Sequence, residues 1–139
     1  MYTFSDDRPD LRELSPVALA FVGDSVLDLL VRGRLVTQNR LQTGALHRAA
    51  ADIVSARGQS DILAHIEQQL TEEEKDWVRR GRNTKKTSVS KYATLQEYQA
   101  STGLEAMLGG LYLQGKNERI QEVFEMIWQR YQQLHPAAP

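Results

Sequence analysis

The sequence predicts an all-α fold. Apolar residues recur three and four positions apart in one segment after another, which is the period of a helix face. Helix-start signals stand where those segments begin: Ser15 before Pro16, Thr71 three residues before Glu74, and Thr94 three residues before Glu97. The alternation of apolar and polar residues that marks a half-buried strand is absent.

Each element follows from these signals. Ser15 is the expected N-cap and Pro16 the first helical residue of a helix that runs to about Leu35. Val17, Ala20, Phe21, Leu27 and Val31 mark its apolar stripe, and Asp24 falls in the same stripe. A second helical stretch covers roughly 43–69, with a break expected near Gly58. Its apolar positions are Leu46, Ala49, Ala50, Ile53, Val54, Ile62, Leu63 and Ile66. Thr71-Glu72-Glu73-Glu74 is a capping box opening a short helix that carries Trp77 and Val78 and ends near Gly81. Residues 82–93 are polar, basic and aperiodic, which predicts an exposed loop. Thr94-Leu95-Gln96-Glu97 opens a helix to Gln114, stopped by Gly115 at C′. Asn117 is the expected cap of a last amphipathic helix bearing Ile120, Val123, Phe124, Ile127, Trp128 and Tyr131. The whole chain, 1–139, is expected to form one domain with a core over about 13–131; residues 1–10 and 135–139 are peripheral.

Composition narrows the class. The 139 residues are enough for one domain with a real core, and the 41% hydrophobic and 25% charged fractions are those of a globular protein. No apolar run approaches the roughly 20 residues that span a bilayer, so no membrane association is expected. The first residues have neither a basic nor an apolar stretch of signal-peptide type. The chain has no cysteine, which excludes disulfides and thiolate metal sites and fits a cytoplasmic location. The net charge is −1, but charge is unevenly placed. Residues 67–76 are acidic, whereas 79–91 carry Arg79, Arg80, Arg82, Lys85, Lys86 and Lys91 without an acid.

Asp24 and Glu105 are the leading chemical candidates. Each stands alone in an apolar helical run, where an ionised carboxylate costs several kcal/mol unless a cation or strong donors compensate it. Small residues lie one turn away (Ala20 and Gly23; Ser101 and Gly109), so helices can approach closely there. The bland reading is a pair of buried acids satisfied by arginine or by helix-end amides. The functional reading is a metal site or an acid–base pair, and hard cations such as Mg²⁺ take one or two carboxylates plus waters and substrate phosphate. Asp28 is a candidate outer ligand, although such a residue is more often simply solvated.

The run Arg79-Arg80-Gly81-Arg82-Asn83-Thr84-Lys85-Lys86 is the second candidate. Most charge runs are solvated loops, but clustered guanidinium forks match phosphate geometry. The histidines His47, His65 and His135 have no metal-binding spacing, and neither a nucleophile elbow nor a P-loop is present. Gly109-Gly110 within an apolar helix costs roughly 1 kcal/mol per glycine, which close packing against another helix, within the chain or across a dimer, would offset.

At these residues the chain resembles a known family. Phe21-Val22-Gly23-Asp24-Ser25-Val26-Leu27 is similar to the signature stretch of the ribonuclease III catalytic domain. Leu104-Glu105-Ala106-Met107-Leu108-Gly109-Gly110-Leu111-Tyr112-Leu113 resembles its second acidic motif, and Leu46 to Gln59 the helix between. With Arg80-Gly81-Arg82-Asn83 and the short length, the resemblance is to the Mini-ribonuclease III group, which has no double-stranded-RNA-binding domain. It implies a homodimeric, all-α ribonuclease III endonuclease-domain fold that hydrolyses double-stranded RNA with Mg²⁺, leaving 5′-phosphate and 3′-hydroxyl ends. It further implies maturation of the 23S (large-subunit) rRNA precursor and a part in ribosome biogenesis. Asp24 and Glu105 match the family's essential acids as catalytic and metal-binding residues. Arg79, Arg82, Asn83, Lys85 and Lys86 fall in the loop associated with RNA contact. Longer members carry further acids where this chain has Ala20 and Thr102, which implies a metal shell with fewer carboxylates and more water.

Two other classes compete with an endoribonuclease. A non-catalytic helical RNA-binding or ribosome-assembly module is favoured by Ala20 and Thr102, and predicts duplex binding that survives a chelator. A hydrolase of small phosphorylated substrates is disfavoured by a basic segment larger than a nucleotide needs.

Overall fold

Leu104, Ala106, Met107, Leu108 and Leu111 have essentially no exposed surface, which makes the helix carrying them the axis of the molecule. The computed structural model describes residues 10–38, 42–84 and 92–136. Six α-helices follow in order: α1 (Pro16–Gln38), α2 (Thr43–Val54), α3 (Ala56–Ile66), α4 (Glu72–Arg82), α5 (Leu95–Leu113) and α6 (Asn117–Leu134). Single 3₁₀ turns at Leu11–Glu13 and Glu67–Gln69 precede α1 and α4. There is no strand among the described residues. The all-α expectation holds.

The helix starts are where local chemistry puts them. Ser15 Oγ accepts from the Ala18 amide at 3.1 Å. Both predicted capping boxes form, with reciprocal bonds between Thr71 and Glu74 and between Thr94 and Glu97. Gly115 has φ 70°, the left-handed conformation that ends α5. Two expectations shift. The second helical stretch breaks at Ser55, not Gly58, because Ser55 is extended (φ −62°, ψ 156°) and caps α3 by accepting from the Gly58 amide. Asn117 is the first residue of α6, not its cap; Lys116 holds the cap position without a side-chain bond, and Asn117 Oδ1 is buried without a partner.

Packing is arranged around α5, which contacts α1, α3, α4 and α6. Leu19, Val26, Leu27, Val31 and Leu35 line the inner face of α1. Ile62, Leu63 and Ile66 come from α3, Trp77 and Val78 from α4, and Ile120, Val123, Phe124, Ile127 and Tyr131 from α6. A polar tie fastens α4 to α6. Glu74, 2% exposed, receives Arg119 at both oxygens, 2.8 Å each, and Arg119 also donates to the Gln69 carbonyl at 3.1 Å. At the far end of α1, Arg34 lies over the rings of Phe124 and Trp128 and pairs with Glu125, tying α1 to α6.

Candidate active site

Four glycines decide how close the helices around α5 come. A Cβ on Gly23 would lie 1.7 Å from the Glu105 carbonyl oxygen, and one on Gly109 would lie 1.9 Å from that of Leu19. The backbones of α1 and α5 are therefore in direct contact at two levels. On the other side of α5, a Cβ on Gly81 would lie 2.7 Å from the Cα of Gly103, and one on Gly103 2.7 Å from the Val78 carbonyl oxygen. Each glycine gives up helix propensity, about 1 kcal/mol against alanine, and the close approach returns it as packing. The double glycine is accounted for within one chain: Gly109 packs on α1, and Gly110 faces the ring of Trp77. Packing across a dimer is not needed to account for it.

These crossings set the candidate residues. Asp24 directly follows the contact glycine of α1, and Glu105 supplies the backbone that this glycine meets, so both acids belong to one helix crossing. The expected burial of Asp24 is corrected: it is exposed. The helix face with Val17, Phe21, Asp24 and Asp28 points outward, and the buried stripe runs through Leu19, Ala20, Gly23, Val26, Leu27 and Val31. Both faces are rich in apolar residues, so spacing alone could not set the phase. Glu105 is half-buried. Asp28 pairs with Arg32 at 3.0 Å. Thr102 turns its hydroxyl to the Tyr98 carbonyl, 2.9 Å, and Ala20 is buried.

Gln59 is the residue that the sequence reading missed. It lies on α3 and donates 3.1 Å to Glu105 Oε2 and 2.9 Å to the Val54 carbonyl. The signal was present: Gln59 is in phase with Ile62, Leu63 and Ile66, a lone amide on a buried helix face. Burying an amide with one atom unpaired costs about 1–3 kcal/mol, and Gln59 Oε1 has no partner.

The basic segment is brought to the same region. Gly81 packs on Thr102 and Gly103, so the C-terminal end of α4 crosses α5 within one turn of Glu105. Its arginines are not idle. Arg79 pairs with Asp76 at 2.5 Å, Arg82 forks onto Glu67 at 2.9 and 3.4 Å, and Arg80 reaches the Leu14 carbonyl at 3.3 Å. Asn83 is exposed and caps α4 through its amide. Lys85 and Lys86 lie outside the described residues.

The donor chemistry selects among ions. Among the described residues, no three His, Cys, Asp or Glu side chains converge. A closed Zn²⁺ or Ca²⁺ cage is therefore not built from them, since those ions take four or more ligands. Two carboxylates from adjoining helices fit Mg²⁺, which keeps most of its waters and uses substrate phosphate as a ligand.

The Ribonuclease III domain model matches residues 17–116, which include both acids, Gln59 and the α4 end. The chain belongs to the ribonuclease III family. It is a nuclease of the ribonuclease III type. Similar relatives are Mini-ribonuclease 3 proteins. That of Synechocystis is 44% identical over 133 residues, 96% of this chain and 87% of the relative. That of Symbiobacterium thermophilum is 46% identical over 112 residues, 81% of this chain and 86% of the relative. A crystal structure of a Fusobacterium nucleatum protein superposes with a TM-score of 0.81 at 29% identity, covering 91% of this chain and 97% of that one. The fold implied by the resemblance is thus the fold of this ribonuclease III domain. Among its described residues, no helix is long and apolar enough to cross a membrane.

Proposed function

We propose that this ribonuclease III-family chain is a Mg²⁺-dependent endoribonuclease that cleaves double-stranded RNA, with Asp24 and Glu105 holding the ion. The observation that supports the reading is the backbone contact of Gly23 with Glu105, a crossing of the two helices that carry the acids. When bound, Mg²⁺ supplies charge for the phosphoryl oxygens and a more acidic attacking water. Asp24 is open to solvent and meets the incoming phosphodiester side, while Glu105 is held from behind by Gln59. Arg79, Arg82 and Asn83, with Lys85 and Lys86, bind the phosphates and 2′-hydroxyls of A-form RNA, which is recognised mainly by shape. Products carry 5′-phosphate and 3′-hydroxyl ends.

The proposed substrate is the 23S rRNA precursor in the cytoplasm, on the strength of the resemblance of the Asp24 and Glu105 motifs to the Mini-ribonuclease III group, and the proposed active form is a homodimer with one site for each strand. Phe21 supports the dimer. It is 81% exposed on the same face as Asp24, with Val17 at 54%, and an apolar pair of this kind calls for a partner surface.

Wild type, Asp24→Asn and Glu105→Gln, incubated with duplex RNA and Mg²⁺ or with a chelator, test the reading. Cleavage by wild type in Mg²⁺ alone is expected, with at least 100-fold (roughly, from the loss of metal-held charge) slower cutting by both variants. Duplex binding that survives the chelator with RNA left intact in Mg²⁺ would instead make the chain a non-catalytic RNA-binding module, the reading that the small number of acids favours.

A further inference from the structure

Gln59 touches none of the reacting groups in the chemistry outlined above, and it is 1% exposed. Its side chain bridges three helices: it stands on α3, binds the carbonyl of Val54 at the end of α2, and reaches Glu105 on α5. Both partners are acceptors, so the amide has one orientation; turned over, its oxygen would face two oxygens. The Val54 carbonyl is one of the four that α2 leaves open at its end, and that bond pins the amide before Glu105 is considered. Oε1 is left buried and unpartnered. Methionine or leucine would fill the same space without the unmet Oε1, but would leave the Val54 carbonyl and Glu105 Oε2 without this donor. The unmet Oε1 is a cost that the carboxamide carries here, and the bond to Glu105 is an effect that only a donor at this position supplies.

We propose that Gln59 is a positioning residue that fixes the Glu105 carboxylate for the divalent cation, an inference that rests on Glu105 being a metal ligand. A glutamate has three rotatable bonds to order when an ion binds. A donor anchored to a helix end orders them beforehand, and hydrogen-bond partners of ligating carboxylates tune metal affinity in the same way. Where longer relatives are expected to bring additional acids, this chain stiffens one of the two it has.

The test uses Mn²⁺ as a spectroscopic probe, titrated into the protein without RNA and followed by electron paramagnetic resonance. Wild type, Gln59→Met, Gln59→Leu and Glu105→Gln are compared, with melting temperatures recorded for each. The expected result is a folded Gln59→Met or Gln59→Leu that melts somewhat below wild type, having lost the two bonds of the buried amide. Its Mn²⁺ affinity falls about 10- to 100-fold. The Mg²⁺ concentration needed for half-maximal RNA cleavage rises in step, and KM for duplex RNA stays within about twofold. Wild-type Mn²⁺ binding in a folded Gln59 variant, alongside a loss in Glu105→Gln, overturns the positioning role alone. Wild-type Mn²⁺ binding in Glu105→Gln overturns the ligand reading beneath it. Unfolding of both Gln59 variants assigns the residue to the core and overturns the proposal too.

Discussion

The Cα of Gly23 and the carbonyl oxygen of Glu105 are so close that a methyl group on Gly23 would sit 1.7 Å from that oxygen. The contact is between two backbones, so no side-chain rotation relieves it. The spacing of the candidate acids is thereby set by the absence of a single carbon on the residue beside Asp24.

Gly23→Ala should therefore force α1 and α5 apart. A loss of about 3 kcal/mol or more is expected in urea denaturation, at the upper end of overpacking effects, together with loss of RNA cleavage in whatever protein remains folded. Gly33→Ala, on the same helix with nothing within 4 Å of the added carbon, is the control. It should gain up to about 1 kcal/mol from helix propensity. Equal effects at both positions would remove the crossing as the cause.

The Arg119–Glu74 tie predicts a pH dependence. Burial pushes the Glu74 carboxyl upward, but bonds from Arg119 and the Thr71 amide outweigh it and hold the carboxyl below its ordinary value of 4.5. A carboxyl lowered by folding stabilises the native state above its unfolded value, and that contribution disappears as pH falls through the lower folded value. Arg119→Met leaves a buried carboxylate without its cation, and a loss of about 3 kcal/mol is expected at pH 7. The difference between variant and wild type should shrink as pH falls, first as Glu74 protonates in the variant and then until pH passes the lower value held in wild type. Denaturation curves from pH 3 to 7 would show it; a difference that does not change with pH would contradict the assignment.

Phe21 predicts the association state. Phe21→Glu places a charge on the exposed apolar pair without touching the core. On the proposed dimer, sedimentation should show wild type at twice the mass of a monomeric variant, with RNA cleavage reduced at least tenfold (about 1.4 kcal/mol of barrier). Unchanged sedimentation would clear this face of the role.

Arg82 predicts an effect in the opposite direction. Its fork is occupied by Glu67 at 2.9 Å, so under the proposed function RNA would compete with Glu67 for it. Glu67→Gln should tighten duplex binding severalfold at the cost of about 0–1 kcal/mol of stability, as for other half-exposed pairs. Arg82→Ala should weaken binding and flatten its salt dependence by about one counterion. Filter binding from 50 to 200 mM salt would separate the two.

Much of this was written in the sequence. The capping boxes at Thr71 and Thr94, the Gly115 stop and the apolar period of α3, α4 and α6 act over one or two turns, and they formed as local chemistry requires. The motif around Asp24 and the one around Glu105 were legible as residue types in helical context, as was the basic end of α4. What failed was the phase of α1. Phe21 and Val17 face outward as apolar residues in their own right, and a helix apolar on two sides gives periodicity no unique answer.

The sequence by itself determined the helices and most of their ends, because capping and propensity are short-range. It also determined which side chains carry charge. Only the tertiary structure decided which of them meet. Asp24 and Glu105 are 81 positions apart in the chain and share a crossing because Gly23 and Gly109 let two backbones touch. Gln59 reaches Glu105 because α3 packs on the neighbouring side of α5. Contacts between residues distant in sequence depend on how whole helix faces fill space against one another, and no local pattern encodes that.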